Sequence, residues 1–305
     1  MSEHFRSILV PLDGSRLAES VLPLTVTLAE KLGAKITLIH IIEERAPQTV
    51  HGEPHLRTTG DAETYLAEVA LRFAGAVTFE HHVHGTEEQN VAQSIAAHVS
   101  ELRADIVALC THGRSGVRRV MSGSIAQQVL KRVSVPVLLV RPQMQNPTTL
   151  RTILVPLDGT PAAETALASA SELARAADAQ LYLVSIVPTV DTVTGDRQAA
   201  ARLTPIATSE ALDVEEEQSK LYLEETARRL REQGLKASAL VRRGNTVPSL
   251  AEAVYESSAD LVVIATHARA GLNALVTGSV TATLVGKVAK PLLMIKIPDS
   301  RYYVN

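Results

Sequence analysis

The chain repeats itself once, and this duplication limits the folds that it can adopt. Residues 8–15 read ILVPLDGS, and residues 153–160 read ILVPLDGT. The aspartates of these segments are 145 residues apart (158 − 13), whereas two later Gly-Ser pairs, which start at Gly123 and Gly278, are 155 residues apart (278 − 123). The second copy therefore carries a net ten additional residues, most of which fall in the polar stretch 188–210.

Each copy alternates strand-like and helix-like segments, and this pattern predicts a parallel sheet. Apolar, β-branched runs predict the strands of the first copy at 6–12, 35–42, 77–83, 105–110 and 136–140. Helical spacing predicts its helices at 17–28, interrupted near Pro23, and at 61–73, 87–102 and 124–132. Strict alternation implies right-handed crossovers, so we predict an α/β chain of two tandem doubly wound domains with helices on both faces. The domains are predicted at 1–142 and 148–305, joined by the linker PQMQNP.

The composition argues against several classes of function. The net charge is −3, aromatic residues make up 3% of the chain and Trp is absent, which argues against a nucleic-acid binder. No apolar run reaches the roughly 18 residues of a membrane span, and the N-terminus has no signal-peptide pattern. One cysteine cannot form an intrachain disulfide. We therefore expect a cytoplasmic protein that binds neither nucleic acid nor membrane.

Small residues after the fourth predicted strand indicate an anion site. Residues 110–124 read CTHGRSGVRRVMSGS and lead into a helical segment. Gly113 lets the backbone approach a phosphate, and the pair Gly123-Ser124 places free N–H groups at a helix start. A plain helix cap is the alternative for this pair. Asp13 follows the first strand and belongs at the same edge of the sheet, either as a ligand contact or as a turn-forming Asx residue.

These motifs together resemble those of the universal stress protein family, over roughly 6–140 and 151–297. The nucleotide motif of that family, G-2x-G-9x-G-[ST], matches Gly113, Gly123 and Ser124, with Cys110 at its first glycine. The resemblance implies a five-stranded parallel sheet in each half, and ATP in the crevice with Mg²⁺ or Mn²⁺ carried on the phosphates. It also implies an intrachain pseudo-dimer in which the fifth strands, within 135–141 and 290–297, meet antiparallel.

The resemblance also supplies the residues expected to contact ATP. The acidic residue of the family falls on Asp13, and the backbone that contacts adenine falls on Ile41. The residues predicted to contact nucleotide are Pro11, Asp13, Ile41, Cys110, His112, Gly113, Arg114, Gly123, Ser124 and Ile125 in the first copy and Asp158, Ile186, Gly278 and Ser279 in the second.

The second copy has a degenerate form of the motif. Ala265 and Ala268 stand where both early glycines are expected, and only Gly278-Ser279 is kept. If these positions need positive φ, each Cβ costs about 1–2 kcal/mol. We therefore expect ATP mainly in the N-terminal domain.

Two further residue types allow a second interpretation. The thiol of Cys110 is either a redox sensor or a small residue tolerated in place of glycine, and the second interpretation is favoured. Half of the ten histidines are His51, His55, His81, His82 and His84. Such clusters can bind metals, but His81 and His82 point to opposite faces of a strand, which favours solvated histidines.

The expected function is that of an ATP-binding stress-response protein that acts as a nucleotide-dependent regulator or as a partner-binding module. The alternatives are a slow ATPase or nucleotidyl-transfer enzyme in the same crevice, and a scaffold that binds no nucleotide. No catalytic base and no pair of metal ligands stands out, so we assign no catalytic or metal residue. Two tandem chains are expected to form a homodimer, and the sequence identifies no protein partner.

Overall fold

The order of strands and helices follows the predicted alternation. A computed structural model describes residues 5–111, 125–142, 149–195, 197–266, 284 and 287–297. The strands of the first half are β1 (Ser7–Pro11), β2 (Lys35–Glu43), β3 (Thr49–Val50), β4 (Glu53–Pro54), β5 (Phe79–Glu88), β6 (Ile106–Cys110) and β7 (Val137–Val140). The helices of this half are α1 (Arg16–Glu19), α2 (Leu22–Leu32), α3 (Thr59–Arg72), α4 (Val91–Glu101) and α5 (Ile125–Arg132).

The second half repeats the order of the five large strands, with additional and longer helical segments after the second of them. Its strands are β8 (Thr152–Pro156), β9 (Gln180–Val187), β10 (Lys236–Arg243), β11 (Leu261–Thr266) and β12 (Leu292–Lys296). Its helices within the described residues are α6 (Pro161–Ala177), α7 (Arg197–Leu203), α8 (Pro205–Glu232) and α9 (Thr246–Glu256). The insertion of the second copy thus forms α7 and the start of the 28-residue helix α8.

All described strands except the β3–β4 hairpin form one continuous sheet. Its order is β5-β2-β1-β6-β7 in the first half, followed by β12-β11-β8-β9-β10 in the second. Neighbours within each half are parallel, whereas β7 and β12 pair antiparallel, with Leu139 opposite Leu292 and Val137 opposite Met294. The predicted doubly wound α/β fold is therefore confirmed, and so is the predicted antiparallel pairing of the fifth strands.

Side chains and helices also connect the two halves. The Phe5 amide donates to Glu172 Oε1 at 2.6 Å, and the ammonium of Lys296 donates to the carbonyl of Val133 at 3.0 Å. Helix α2 packs on α6 across the pseudo-twofold. Alternate residues of β1 face different cores, since Ile8 belongs to one apolar layer and Leu9 to the other. Each layer contains residues of both halves, so the two copies share their cores.

An aspartate before the fourth large strand of each copy fixes the start of the first strand. Asp105 Oδ2 accepts from the amides of Arg6 and Ser7 at 2.8 and 2.9 Å. In the second copy, Asp260 Oδ2 accepts from the amides of Arg151 and Thr152 at 2.7 and 3.1 Å, at the start of β8. These bonds align the central strands, so that their carboxyl ends lie level at the opposite edge of the sheet.

Two local predictions need correction. The third large strand does not end at Val83 but continues to Glu88, which pairs with Glu43 of β2. Helix α4 therefore does not begin at residue 87: Asn90 caps it by accepting from the Gln93 amide at 3.1 Å. The predicted interruption of the first helix near Pro23 is confirmed: α1 ends at Glu19 and α2 begins at Leu22, and Pro23 occupies the first turn of α2, where a missing N–H costs no helical bond.

Candidate functional site

A cleft opens at the carboxyl ends of the strands in each copy, beside the central strand where the strand order reverses. The first cleft has a volume of about 360 Å³ and the second about 180 Å³. All ten described residues that line the second cleft have equivalents that line the first, by the registers of the sheet and the caps of the helices. Examples of these pairs are Pro11 and Pro156, Ile41 and Ile186, and Cys110 and Ala265. The duplication therefore extends to the cleft itself.

The first cleft brings together the predicted site residues that the structure describes. It is lined by Pro11, Asp13, Ile41, Cys110 and Ile125, which come from β1, the following loop, β2, β6 and the start of α5. Asp158 and Ile186 line the second cleft. The other predicted contacts lie outside the described residues: His112, Gly113, Arg114, Gly123, Ser124, Gly278 and Ser279.

The carboxylate of Asp13 has two different surroundings. Its Oδ1 accepts from the amide and hydroxyl of Ser15 at 2.9 and 2.6 Å, and Ser15 in turn caps α1. Its Oδ2 lies 3.8 Å from His51 Nε2. Asp158 Oδ1 makes the equivalent bonds to Thr160, at 3.0 and 2.6 Å. Both aspartates therefore form the Asx turn expected for this sequence, and Asp13 also lines a cleft wall next to an imidazole.

A short hairpin that the sequence did not reveal covers part of the first cleft. Strands β3 and β4 enclose a two-residue turn, His51-Gly52, with φ of 53° and 89°. Positive φ at both turn residues is the geometry that matches strand twist in a tight hairpin. Glu53 ties the hairpin to α1 by accepting from the Arg16 amide at 2.7 Å. Val50 and His51 thus join the cleft lining, whereas no described residue of the polar stretch 188–210 lines the second cleft.

The buried His40 lines the first cleft, and a second buried histidine, His55, lies beside it. His40 Nδ1 lies 2.7 Å from the Leu12 carbonyl oxygen, and its Nε2 lies 3.2 Å from that of Leu56. Burial lowers the pKa of His40, so the ring is neutral at pH 7 and donates to one carbonyl only. His55 Nε2 lies 3.7 Å from the Glu43 carboxylate. Sequence reasoning missed this role because the carbonyls involved are distant in sequence.

Cys110 is a buried cleft residue with an unreactive thiol. Burial raises its pKa to about 11. Few molecules are then thiolate at neutral pH, and the thiolate is the form that reacts. The structure therefore favours the interpretation of a small residue tolerated in place of glycine.

The prediction of backbone strain at Ala265 is wrong. Cys110 and Ala265 both lie in strands, where they pair with Val140 and Ile295. Extended backbone accepts any side chain, so a Cβ at this first motif position carries no penalty for positive φ. The other alanine of the degenerate motif, Ala268, lies outside the described residues.

The fold and its clefts define a tandem doubly wound α/β protein with one crevice at the switch point of each half. No helix within the described ranges is both long enough and apolar enough to cross a bilayer. The chain belongs to the universal stress protein family, whose family model matches residues 4–141 and 149–296.

Similar proteins support both the duplication and the fold. A universal stress protein of Mycolicibacterium smegmatis is 26% identical over 300 residues, which cover 95% of this chain and 96% of the relative. One of Methanocaldococcus jannaschii is 25% identical over 148 residues, or 45% of this chain and 82% of the relative. The crystal structure of an Archaeoglobus fulgidus universal stress protein has a TM-score of 0.72 at 17% identity, and covers 98% of this chain and 99% of that one. A functionally unknown protein of Pseudomonas aeruginosa has a TM-score of 0.66 at 18% identity, covering 96% and 93%.

Proposed function

We propose that this protein binds ATP in the cleft of its first copy and uses the bound nucleotide to regulate its conformation or its contact with a partner. One observation carries this proposal: five residues predicted to contact nucleotide converge on one cleft at the switch point, namely Pro11, Asp13, Ile41, Cys110 and Ile125. Its volume of about 360 Å³ falls within the range of small-molecule sites.

The chemistry of the cleft suits the two ends of a nucleotide. Its inner walls are apolar, with Ile39, Ile41 and Ile95 among the lining residues, and such walls favour a planar base. The Asp13 carboxylate can accept from ribose hydroxyls. We assign the phosphates to the side of the cleft where α5 begins, because a helix start favours anions. Gly113, Gly123 and Ser124 would supply N–H groups there, and Arg114 a positive charge.

A divalent metal would accompany the phosphates. Mg²⁺ keeps most of its ligands as waters and phosphate oxygens, so it needs one or two protein carboxylates at most. Asp13 and Glu43 are the carboxylates that line the cleft within the described residues. This donor set fits Mg²⁺ or Mn²⁺ held mainly by the nucleotide, and we assign no dedicated metal ligand.

We assign the second copy a weaker site or none. Its cleft has half the volume of the first and no equivalent of His51 among the described lining residues. Asp158, Ile186, Gly278 and Ser279 would form what remains of the site. The proposed difference in nucleotide affinity between the two copies rests on the size and lining of the clefts, and not on backbone strain at Ala265.

Calorimetric titration of the purified full chain with MgATP tests the proposal. We expect one tight site per chain, and its loss in Gly123→Val, which places a branched side chain against the phosphates. Gly278→Val is the matched control and should leave the tight site unchanged. No binding by the wild-type chain would reject the proposal, and two equal sites would reject the asymmetry. Release of labelled phosphate in the same samples distinguishes a regulator from a slow ATPase.

Three further assignments accompany this function. We propose that the protein acts in the cytoplasm, that two tandem chains form a homodimer, and that the domain boundaries lie at 142 and 148. The buried single cysteine is compatible with a reducing compartment. Light scattering of the purified chain tests the homodimer, since a mass of 32.7 kDa would show a monomer.

A further inference from the structure

Three histidines outside the cleft meet between an edge strand and a helix. His82 and His84 are two residues apart on β5, so they share one face of the strand, and His98 of α4 packs against that face. One ring nitrogen from each of the three lies within 4.8 Å of the others. His98 is buried, whereas the other two are partly exposed, so the group can be reached from solvent.

The nitrogens have the spacing of ligands on one metal ion. His82 Nε2 lies 3.2 Å from His98 Nε2. Two nitrogens bound to one tetrahedral zinc ion at about 2.0–2.1 Å are about 3.3 Å apart. His98 Nδ1 lies 2.8 Å from the Ser94 carbonyl oxygen, to which it donates. This bond fixes the tautomer, so the lone pair of Nε2 points towards the other rings, as in metal sites where the second ring nitrogen is held.

Carboxylates complete the surroundings of the three rings. Glu101 Oε2 lies 3.8 Å from His98 Nε2, and Glu88 Oε1 lies 3.0 Å from His84 Nε2. Either carboxylate can act as a fourth ligand or hold an imidazole in place. The donor set of three imidazoles and a carboxylate is suited to borderline divalent ions and unsuited to Mg²⁺, which prefers oxygen ligands.

The second copy has different residues at the positions equivalent to these histidines. By the sheet registers, Leu240 is equivalent to His82 and Arg242 to His84. The equivalent helices α4 and α9 each have 11 residues, with caps at residues 90 and 245. His98 and Ala253 each lie eight residues after the cap (98 − 90, 253 − 245), so they are equivalent. Glu101 and Glu256 each lie eleven residues after it (101 − 90, 256 − 245) and are also equivalent.

In this second copy the guanidinium of Arg242 forms an ion pair with Glu256 and lies 3.8 Å from Glu252. A permanent cation thus connects β10 to α9. The first copy has the equivalent glutamate, Glu101, but has His84 where the other copy has its arginine.

We propose that His82, His84 and His98 form a binding site for a divalent transition-metal ion of the Zn²⁺ type. The bound ion connects the edge strand β5 to α4, as Arg242 connects β10 to α9 in the second copy. The site is separate from the ATP cleft, and its test does not depend on nucleotide.

Equilibrium dialysis of the untagged, EDTA-treated full chain against Zn²⁺ tests this site, with metal measured by mass spectrometry. We expect the double variant His82→Asn/His84→Asn to bind one Zn²⁺ fewer per chain than the wild type. The matched control is His81→Asn, an exposed histidine on the opposite face of β5, which should bind as much Zn²⁺ as the wild type. Equal Zn²⁺ binding by the double variant and the wild type overturns the proposal.

Two further measurements keep the test independent of folding defects. Zn²⁺ should raise the unfolding temperature of the wild type and of His81→Asn, but not that of the double variant. His84→Arg, which introduces the residue of the second copy, should fold and weaken Zn²⁺ binding by at least about tenfold, as loss of a supporting group already does. Co²⁺ bound to the wild type should show the intense visible absorption of a tetrahedral ion. Absence of that band, or full Zn²⁺ affinity in His84→Arg, would also reject the site.

Discussion

The thiol of Cys110 lies 3.2 Å from the hydroxyl oxygen of Ser20, in the wall of the first cleft. That hydroxyl donates to the Leu17 carbonyl at 2.7 Å, so it accepts from the thiol. A strand end and a helix end are thereby joined by a neutral hydrogen bond. The thiol takes part in packing, and its hydrogen stays in place at neutral pH.

Cys110 should react slowly with iodoacetamide. Its pKa of about 11 compares with a reference of 9.0, so its thiolate fraction at pH 8 is about 100-fold below that of an exposed thiol. We expect at least this difference in rate between the native and the urea-unfolded chain, measured by mass spectrometry. Equal rates would show that the thiol is exposed and would revive the redox-sensor interpretation.

Asp13→Ala should weaken ATP binding by about tenfold to a hundredfold, because a lost hydrogen bond to a charged group costs about 1.5–3 kcal/mol. Asp158→Ala is the matched control, since it removes the same Asx-turn bonds from the second copy. Both variants should lose similar stability in urea, and only Asp13→Ala should lose affinity in calorimetry. Equal affinities in the two variants would place the nucleotide elsewhere.

Ala265→Gly should not create a second ATP site. Ala265 is a β11 residue paired with Ile295, so glycine there relieves no strain and makes the unfolded chain more flexible. We expect the stoichiometry of ATP binding to be unchanged and the free energy of unfolding to fall by about 0.5–1 kcal/mol. A second site in calorimetry would show that the alanine methyl group itself obstructs the cleft.

The stability of the protein should depend on pH through His40. Burial lowers its pKa below 6.5, with opposing contributions from the Leu12 and Leu56 carbonyls and from Asp13, and a lowering one from His55. The folded chain then resists protonation more than the unfolded chain does. Its contribution to stability is therefore complete above pH 6.5 and is lost as the pH falls towards the folded pKa.

Urea unfolding between pH 5 and 7, in EDTA, measures this effect. We expect the free energy of unfolding of the wild type to decrease as the pH falls. His40→Gln keeps a side-chain donor but cannot titrate, so its decrease should be smaller. Parallel pH profiles would assign the decrease to groups other than His40.

The central strands were predictable because they are buried on both faces. Residues 36–42 of β2 are all buried, so their sequence is a continuous apolar run with the single exceptions of Thr37 and His40. Strand β5 lies at an edge and has no buried residue, and its polar sequence obscures where the strand ends. The hairpin at 49–54 has strands of two residues each, too short for any periodicity.

The site was predictable only where one motif contained its residues. Asp13 and Cys110 were found because each follows or ends a recognisable strand. The sequence places His81 and His82 on opposite faces of the strand, and their exposures differ accordingly. That His82 and His84 face His98 depends on how α4 packs on β5, and sequence spacing alone does not contain this information. The backbone angles at Ala265 were likewise set by the sheet, and the motif alone suggested the opposite.

Because β7 and β12 belong to one chain, their antiparallel pairing makes the association of the two halves independent of protein concentration. Two separate chains that met at this edge would dissociate on dilution, since mass action governs their pairing. Here a short segment of the same chain holds the edges at an effective concentration in the millimolar range, on the order expected for short linkers. Each half keeps its partner without tight intermolecular binding, so the residues that line one cleft can change while the shared sheet stays intact.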